Sequence, residues 1–191
     1  MGLFSKKESP VWAGTGKKAK TEGVAYVQAC TDLEELKQIA AKADLSVIQD
    51  AAMTKIEAVD KNILKEMYQY QYHAERGQTS PFLLNKAIIE RFTDDEEFLE
   101  SVLFSGKASE AEVAAKYITS HEAMVKFVME IDSPSSFAFL AVNQFVEKLE
   151  DRAALEKLVE LYKNYMPSMG EYAPFVNDKR RIGKIAARKL S

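Results

Sequence analysis

Two histidines, His73 and His121, and one cysteine, Cys30, are the residues of this 191-residue chain best suited to proton transfer, nucleophilic attack or metal ligation. Their spacing does not bring them together locally. Neither histidine has a carboxylate three or four positions before it, so neither the Glu-x-x-His di-iron arrangement nor the His-Glu-x-x-His zinc helix is present. Zinc sites usually announce themselves by closely spaced ligands, which are missing here. Cys30 reads as a small, semi-buried residue instead of a nucleophile, since no base lies near it in sequence. The stretch "GTGKKAK" (14–20) begins like a phosphate-binding loop and then departs from it. Val11 stands where the first glycine belongs, and Lys18 replaces the Ser/Thr that would hold Mg²⁺. The acidic run "TDDEEFLES" (93–101) suits the first turn of a helix, where negative charge complements the macrodipole. "MGLFSKK" carries Gly2, but position 6 is Lys where a myristoylation signal has Ser or Thr. Leu3 and Phe4 beside two lysines form too short a cluster for more than weak membrane contact. No catalytic residue, cofactor or metal site is therefore expected.

Binding chemistry is better represented. In "EMYQYQYHAERG" (66–77) aromatic residues alternate with amides as on a strand. At 100° per residue the same stretch resolves into two helical stripes: Ile63, Met67, Tyr70 and Ala74 on one, Leu64, Tyr68 and Tyr72 on the other. Such stripes normally form core, and Tyr68 and Tyr72 would then be buried with their hydroxyls at the rim. The alternative is an exposed aromatic face that anchors a partner, where tyrosine is favoured. A second candidate lies in "NDKRRIGKIAARKL" (177–190). There Ile182, Ile185, Ala186 and Leu190 face inward and leave Lys179, Arg180, Arg181, Lys184 and Arg188 to reach phosphates.

Charge is segregated. Five lysines and one glutamate occupy residues 1–20, and residues 178–191 hold six basic residues against Asp178. The chain as a whole carries −3, so the intervening body is strongly acidic. That body would attract a basic protein segment and repel a polyanion. A single cysteine precludes an intrachain disulfide and favours a reducing compartment. No apolar run reaches the roughly 20 residues of a membrane span. "MGLFSKK" lacks the apolar stretch of a secretion signal, which makes the cytoplasm the expected location.

The elements that must position these residues read as helices. "TDLE" (31–34), "SVIQ" (46–49), "TDDE" (93–96), "SEAE" (109–112) and "TSHE" (119–122) have the form of capping boxes. Asp60, Asp151, Ser80–Pro81 and Ser133–Pro134 mark further starts, and Gly77 and Gly106 mark ends. No alternation is joined to a hairpin turn, so no sheet is expected. The fold class is all-α. Residues 1–22 read as a flexible basic N-terminal arm, and 23–191 as one helical domain whose first segment, "GVAYVQAC" (23–30), is extended or a short helix.

The helices fall into about five pairs. First helices begin near Asp32, Lys61, Asp94, His121 and Arg152, roughly 30 residues apart, and each second helix ends on a basic residue followed by an apolar one, as in Lys55–Ile56 and Lys189–Leu190. A helix-pair period of this length marks an α-solenoid, here a right-handed superhelix, with a non-repetitive bundle as the structural alternative. On these features residues 31–190 resemble the HEAT-like and armadillo-like helical repeat superfamily in a short, bacterial-type variant. The resemblance implies a non-catalytic binding or scaffold protein whose partner carries a basic segment. It also admits a nucleic-acid-binding protein working through the last helix, as in HEAT-like DNA glycosylases, although the sole tryptophan, Trp12, lies in the arm. A third expectation is an enzyme or enzyme subunit whose site would show as a deep pocket holding a carboxylate of perturbed pKa.

Overall fold

The computed structural model describes residues 10–69 and 81–191. Among these residues every regular element is an α-helix, eleven in all. They divide into two compact units, Met1–Ile88 and Ile89–Ser191.

The first unit contains α1 (Lys17–Ala29), α2 (Leu33–Lys42), α3 (Ser46–Val59), α4 (Asn62–Gln69) and nearly all of α5 (Pro81–Ile89). Helix α3 is its centre and packs on α1, α2 and α4. Its apolar positions Ile48, Ala52 and Ile56 recur at fourfold spacing and are fully buried, with Val27, Ile39 and Ala40 closing over them. Of the arm expected over 1–22, residues 1–9 lie outside the described residues; within the rest Trp12 is buried and α1 begins at Lys17, so residues 17–22 are helical. The lysines at 17, 18 and 20 hid this start, because they carry no apolar period of their own; α1 is held by Gly23 and Val27, which lie in its second half.

The second unit contains α6 (Glu96–Leu103), α7 (Ala108–Ala115), α8 (His121–Met129), α9 (Phe139–Phe145), α10 (Arg152–Tyr162) and α11 (Ala173–Leu190). Packing runs α6 on α7, α7 on α9, α8 on α9 and α10, α9 on α11, and α10 on α11. The first helix of each expected pair begins at residue 33, 62, 96, 121 or 152, within two positions of its expected start.

The caps differ in detail from the sequence reading. At α2 the oxygen is supplied by Asp32, which accepts from the amides of Glu34 and Glu35, and not by Thr31. At α6 it comes from Asp95 and at α8 from Ser120, in each case two positions or fewer past the expected Thr. Helices α3 and α7 have no side-chain cap. A carboxylate satisfies the orphan amides and the helix dipole together, which favours aspartate where it competes with threonine. Asp151 caps α10 as expected, accepting from the Ala154 amide at 2.8 Å.

Two contacts fix the second unit. Glu96 reaches 23 residues along the chain to accept from the amides of Thr119 and Ser120 at 2.9 and 2.7 Å, tying the start of α6 to that of α8. Burial opposes ionisation of this carboxyl, but the amides of Ser120 and Thr119 prevail and hold its pKa below the ordinary glutamate value. The second contact is at Gly183, where α11 lies against the end of α10. A Cβ there would stand 2.4 Å from the Lys163 nitrogen and 2.5 Å from the Tyr162 carbonyl carbon, both backbone atoms that cannot turn aside. Gly183→Ala should therefore destabilise the protein by about 1–3 kcal/mol, although alanine is the better helix former. Tyr162, on the same contact, buries a hydroxyl that has no hydrogen-bond partner. Tyr162→Phe should raise the melting temperature, because it removes a buried polar group without opening a cavity. Thermal unfolding of the two variants side by side checks both.

Candidate functional site

The second unit carries two adjoining depressions that share one wall. The first, about 500 Å³, lies where α6 and α7 meet the end of α8 and the start of α9. Leu103, Ala111, Ile131 and Ala141 form its buried floor, Phe104, Phe127 and Phe137 its sides, and Glu130 and Asp132 its rim. The second, about 410 Å³, lies between the 163–172 connection and the start of α11, and is lined by Phe137, Phe139, Tyr165, Met169, Tyr172 and Phe175 among others. Phe137 borders both and is 54% exposed.

The aromatic wall is preorganised by edge-to-face packing. Phe175 is the hub, with ring centroids 5.1 Å from Tyr172, 5.2 Å from Phe139 and 5.9 Å from Phe137. Pairs at this separation and tilt are favourable beyond the area they bury. Pro174 at the start of α11 and Gly170, whose φ of +82° only glycine adopts without strain, shape the connection that brings Tyr172 and Met169 to the pocket.

Beneath this wall lies a polar triad. The Lys179 ammonium donates to Glu171 Oε1 at 2.8 Å and to Tyr165 Oη at 3.0 Å, and Tyr165 Oη donates in turn to Glu171 Oε2 at 2.8 Å. The Ser168 amide adds a bond to the same carboxylate oxygen. Lys179 also stands 4.4 Å from the centre of the Tyr165 ring and 5.1 Å from that of Phe139, so its remaining face is covered by aromatic rings. Burial would lower the Lys179 pKa, yet the hydrogen bonds to Glu171 and Tyr165 outweigh it and hold it above the usual lysine value. The bonds from Lys179 and Tyr165 hold Glu171 below the usual carboxylate value against the opposing effect of burial. A general base works best with a pKa near the working pH. Depressed and accepting three hydrogen bonds, Glu171 is suited to pinning the 163–172 connection onto α11, not to moving a proton.

The residues singled out from sequence fall in different places. Tyr68 is buried with Leu64 and Met67 in the core of the first unit, while Tyr72 lies outside the described residues. Lys179, expected to reach phosphates, is instead buried in the triad at 2% exposure, a correction with a plain cause: it lies within hydrogen-bonding reach of both Tyr165 and Glu171. Arg180, Arg181, Lys184 and Arg188 are exposed along α11. Arg181 bonds Asn143, and Arg188 pairs with Glu147 at 3.2 Å. Ile182, Ile185 and Ala186 are buried as their stripe requires.

Sequence reasoning missed Phe137, Phe139, Glu171, Tyr172 and Phe175. One signal for them was available. "YMPSMGEY" (165–172) concentrates Met and Tyr in a Pro- and Gly-marked connection, where apolar side chains have no helix face to bury. Cys30 is buried just past the end of α1, and burial pushes its thiol pKa up, which makes it a poor nucleophile. Among the described residues no three His, Cys, Asp or Glu side chains gather to hold a metal ion, and no helix is long and apolar enough to cross a membrane. In comparisons with protein-family models, curated proteins and solved structures, nothing matches this chain.

If the triad holds the connection in place, its members are unequal. Glu171→Ala leaves a buried ammonium without its counter-charge and should lower the melting temperature more than Lys179→Met, which removes the charge and keeps the stem. Both Glu171 and Glu96 have depressed folded-state values, so their contribution is complete above the unfolded glutamate pKa of about 4.3 and is lost as pH falls through the folded values. Acid titration of stability should therefore show a steep loss below about pH 4. That limb should flatten in the Glu96→Gln variant.

Proposed function

We propose that the chain is a non-catalytic protein-binding helical-repeat protein, an α-solenoid of the HEAT-like and armadillo-like kind, acting in the cytoplasm as a scaffold for a partner with a basic segment. The observation that carries this reading is the apolar surface around Phe137. Of the nine large hydrophobic side chains exposed among the described residues, three, Phe137, Met169 and Tyr172, line the second depression together, and Phe137 lines the first as well. Aromatic residues and methionine concentrated on one surface are the composition of a recognition site, methionine because its flexible thioether adapts to different shapes. The carboxylates of Glu130 and Asp132 stand on the same surface. The repeat reading draws support from packing within each unit that joins some helices to the next, as α2 to α3, α6 to α7 and α10 to α11, and others to the next but one, as α1 to α3, α7 to α9 and α9 to α11.

Reaction chemistry is disfavoured by the same geometry, since the polar groups of the second pocket are spent on one another. Nucleic-acid binding through α11 would rest on Arg180, Arg181, Lys184 and Arg188 without Lys179. The immobilised protein, exposed to cell lysate at low and high salt with and without nuclease, separates these readings. Retention of a discrete basic protein that survives nuclease and weakens as salt rises is the expected result. Retention abolished by nuclease would replace it with the α11 reading.

A further inference from the structure

We infer that the two depressions flanking Phe137 form one continuous peptide-docking groove, whose occupant is a linear segment carrying bulky apolar side chains next to Lys or Arg. The inference rests on the protein-binding reading above and goes beyond it by assigning the surface and the chemistry of the segment. Three observations lead to it.

The first is shape. At about 500 and 410 Å³, each depression is several times the volume of one leucine or phenylalanine side chain, and Phe137 is a wall of both. An occupant that uses both must pass over Phe137, which suits an extended or helical chain with anchors on either side of that ring. The second is chemistry. The floor of the first depression is aliphatic and that of the second aromatic, so both take apolar anchors.

The third is charge. Glu130 and Asp132 are the ionised side chains that line the first depression, both are exposed, and neither pairs with a cation among the described residues. None of the neighbouring lysines lines it: Lys107 is paired with Glu110 at 3.6 Å, while Lys126, 4.8 Å above the Phe104 ring, and Lys157, which donates to the Met129 carbonyl at 2.5 Å, keep their charge outside the lining. In the second depression Lys179 and Glu171 cancel one another. The rim is thus acidic where the floor is apolar. A segment that buries an apolar side chain there sets its neighbouring residues against two unpaired carboxylates, which favours Lys or Arg and penalises Asp or Glu.

The test is a random-peptide display selection on the full chain, followed by affinity measurement of individual peptides against three variants whose folding is verified by circular dichroism. The expected outcome is enrichment of sequences that place Leu, Met or an aromatic beside Lys or Arg. Their affinity should fall at least about tenfold on Glu130→Lys/Asp132→Lys, about 1.4 kcal/mol, and by a comparable factor on Phe137→Ala. It should fall by a smaller factor on the neutral Glu130→Gln/Asp132→Asn variant. A selection that enriches nothing, that enriches acidic sequences, or whose peptides bind all three variants like the wild type overturns the inference. A basic protein captured from lysate equally by the wild type and by Glu130→Lys/Asp132→Lys would overturn it too, while leaving the protein-binding reading intact.

Discussion

A buried ammonium governs the carboxy-terminal part of this protein. Lys179 has left water, and a lysine in that position is tolerated only where its charge is compensated and its donors are used. Glu171 and Tyr165 meet that requirement, and both belong to the connection that precedes α11. The consequence extends past the triad. To satisfy Lys179, residues 165–171 must fold back against the helix, and this carries Met169 and Tyr172 to the edge of the aromatic pocket. The close approach at Gly183, one turn further along α11, sets the distance at which the triad can form. An electrostatic need and a steric allowance on one helix thereby define a surface made mostly of loop residues.

The contrast between Lys179 and its neighbours shows how far a charge pattern can be read. The five basic residues singled out on α11 share one charge but not one helix face, and four of them are exposed. Helical periodicity places Lys179 three positions before Ile182, on the buried side, so its inward position was legible from spacing alone. What spacing could not supply was its partner, because Glu171 lies outside the helix, in a segment with no period. Long-range polar pairs are set by tertiary geometry, and a single sequence carries no trace of them.

Helix positions were legible to a greater degree. Apolar period and cap residues located the five helix starts expected near 32, 61, 94, 121 and 152 to within two residues, because both signals are local and α-helices satisfy their backbone locally. At α2, α6 and α8 the capping oxygen comes from an Asp or Ser one or two positions past the expected Thr, and at α3 and α7 the expected serine makes no cap. The start of α1 was obscured for a different reason. Its first turn is Lys-rich, and what holds it is a glycine and a valine in its second half, not an apolar stripe along its length. The division into two units left no mark in composition either, since it falls at Ile88 and Ile89 within the continuous helical pattern of α5.

The irregular segments are where apolar residues and exposure coincide, and the reason is economy of helix faces. In the second unit the helices turn their apolar stripes to one another, which leaves little hydrophobic surface on their outer sides. The connections 130–138 and 163–172 have no stripe, so Phe137, Met166, Met169 and Tyr172 cannot be buried by rotating an element. An exposed phenylalanine in a loop costs solubility and adds nothing to the core. Here its ring packs edge-on against Phe175 at 5.9 Å, at the margin of the pocket whose other connection Glu171 pins. A rigid apolar side chain at the surface loses little entropy when something covers it, the condition under which a small surface can bind well. The same triad that stabilises the fold therefore also prepares the surface beside it.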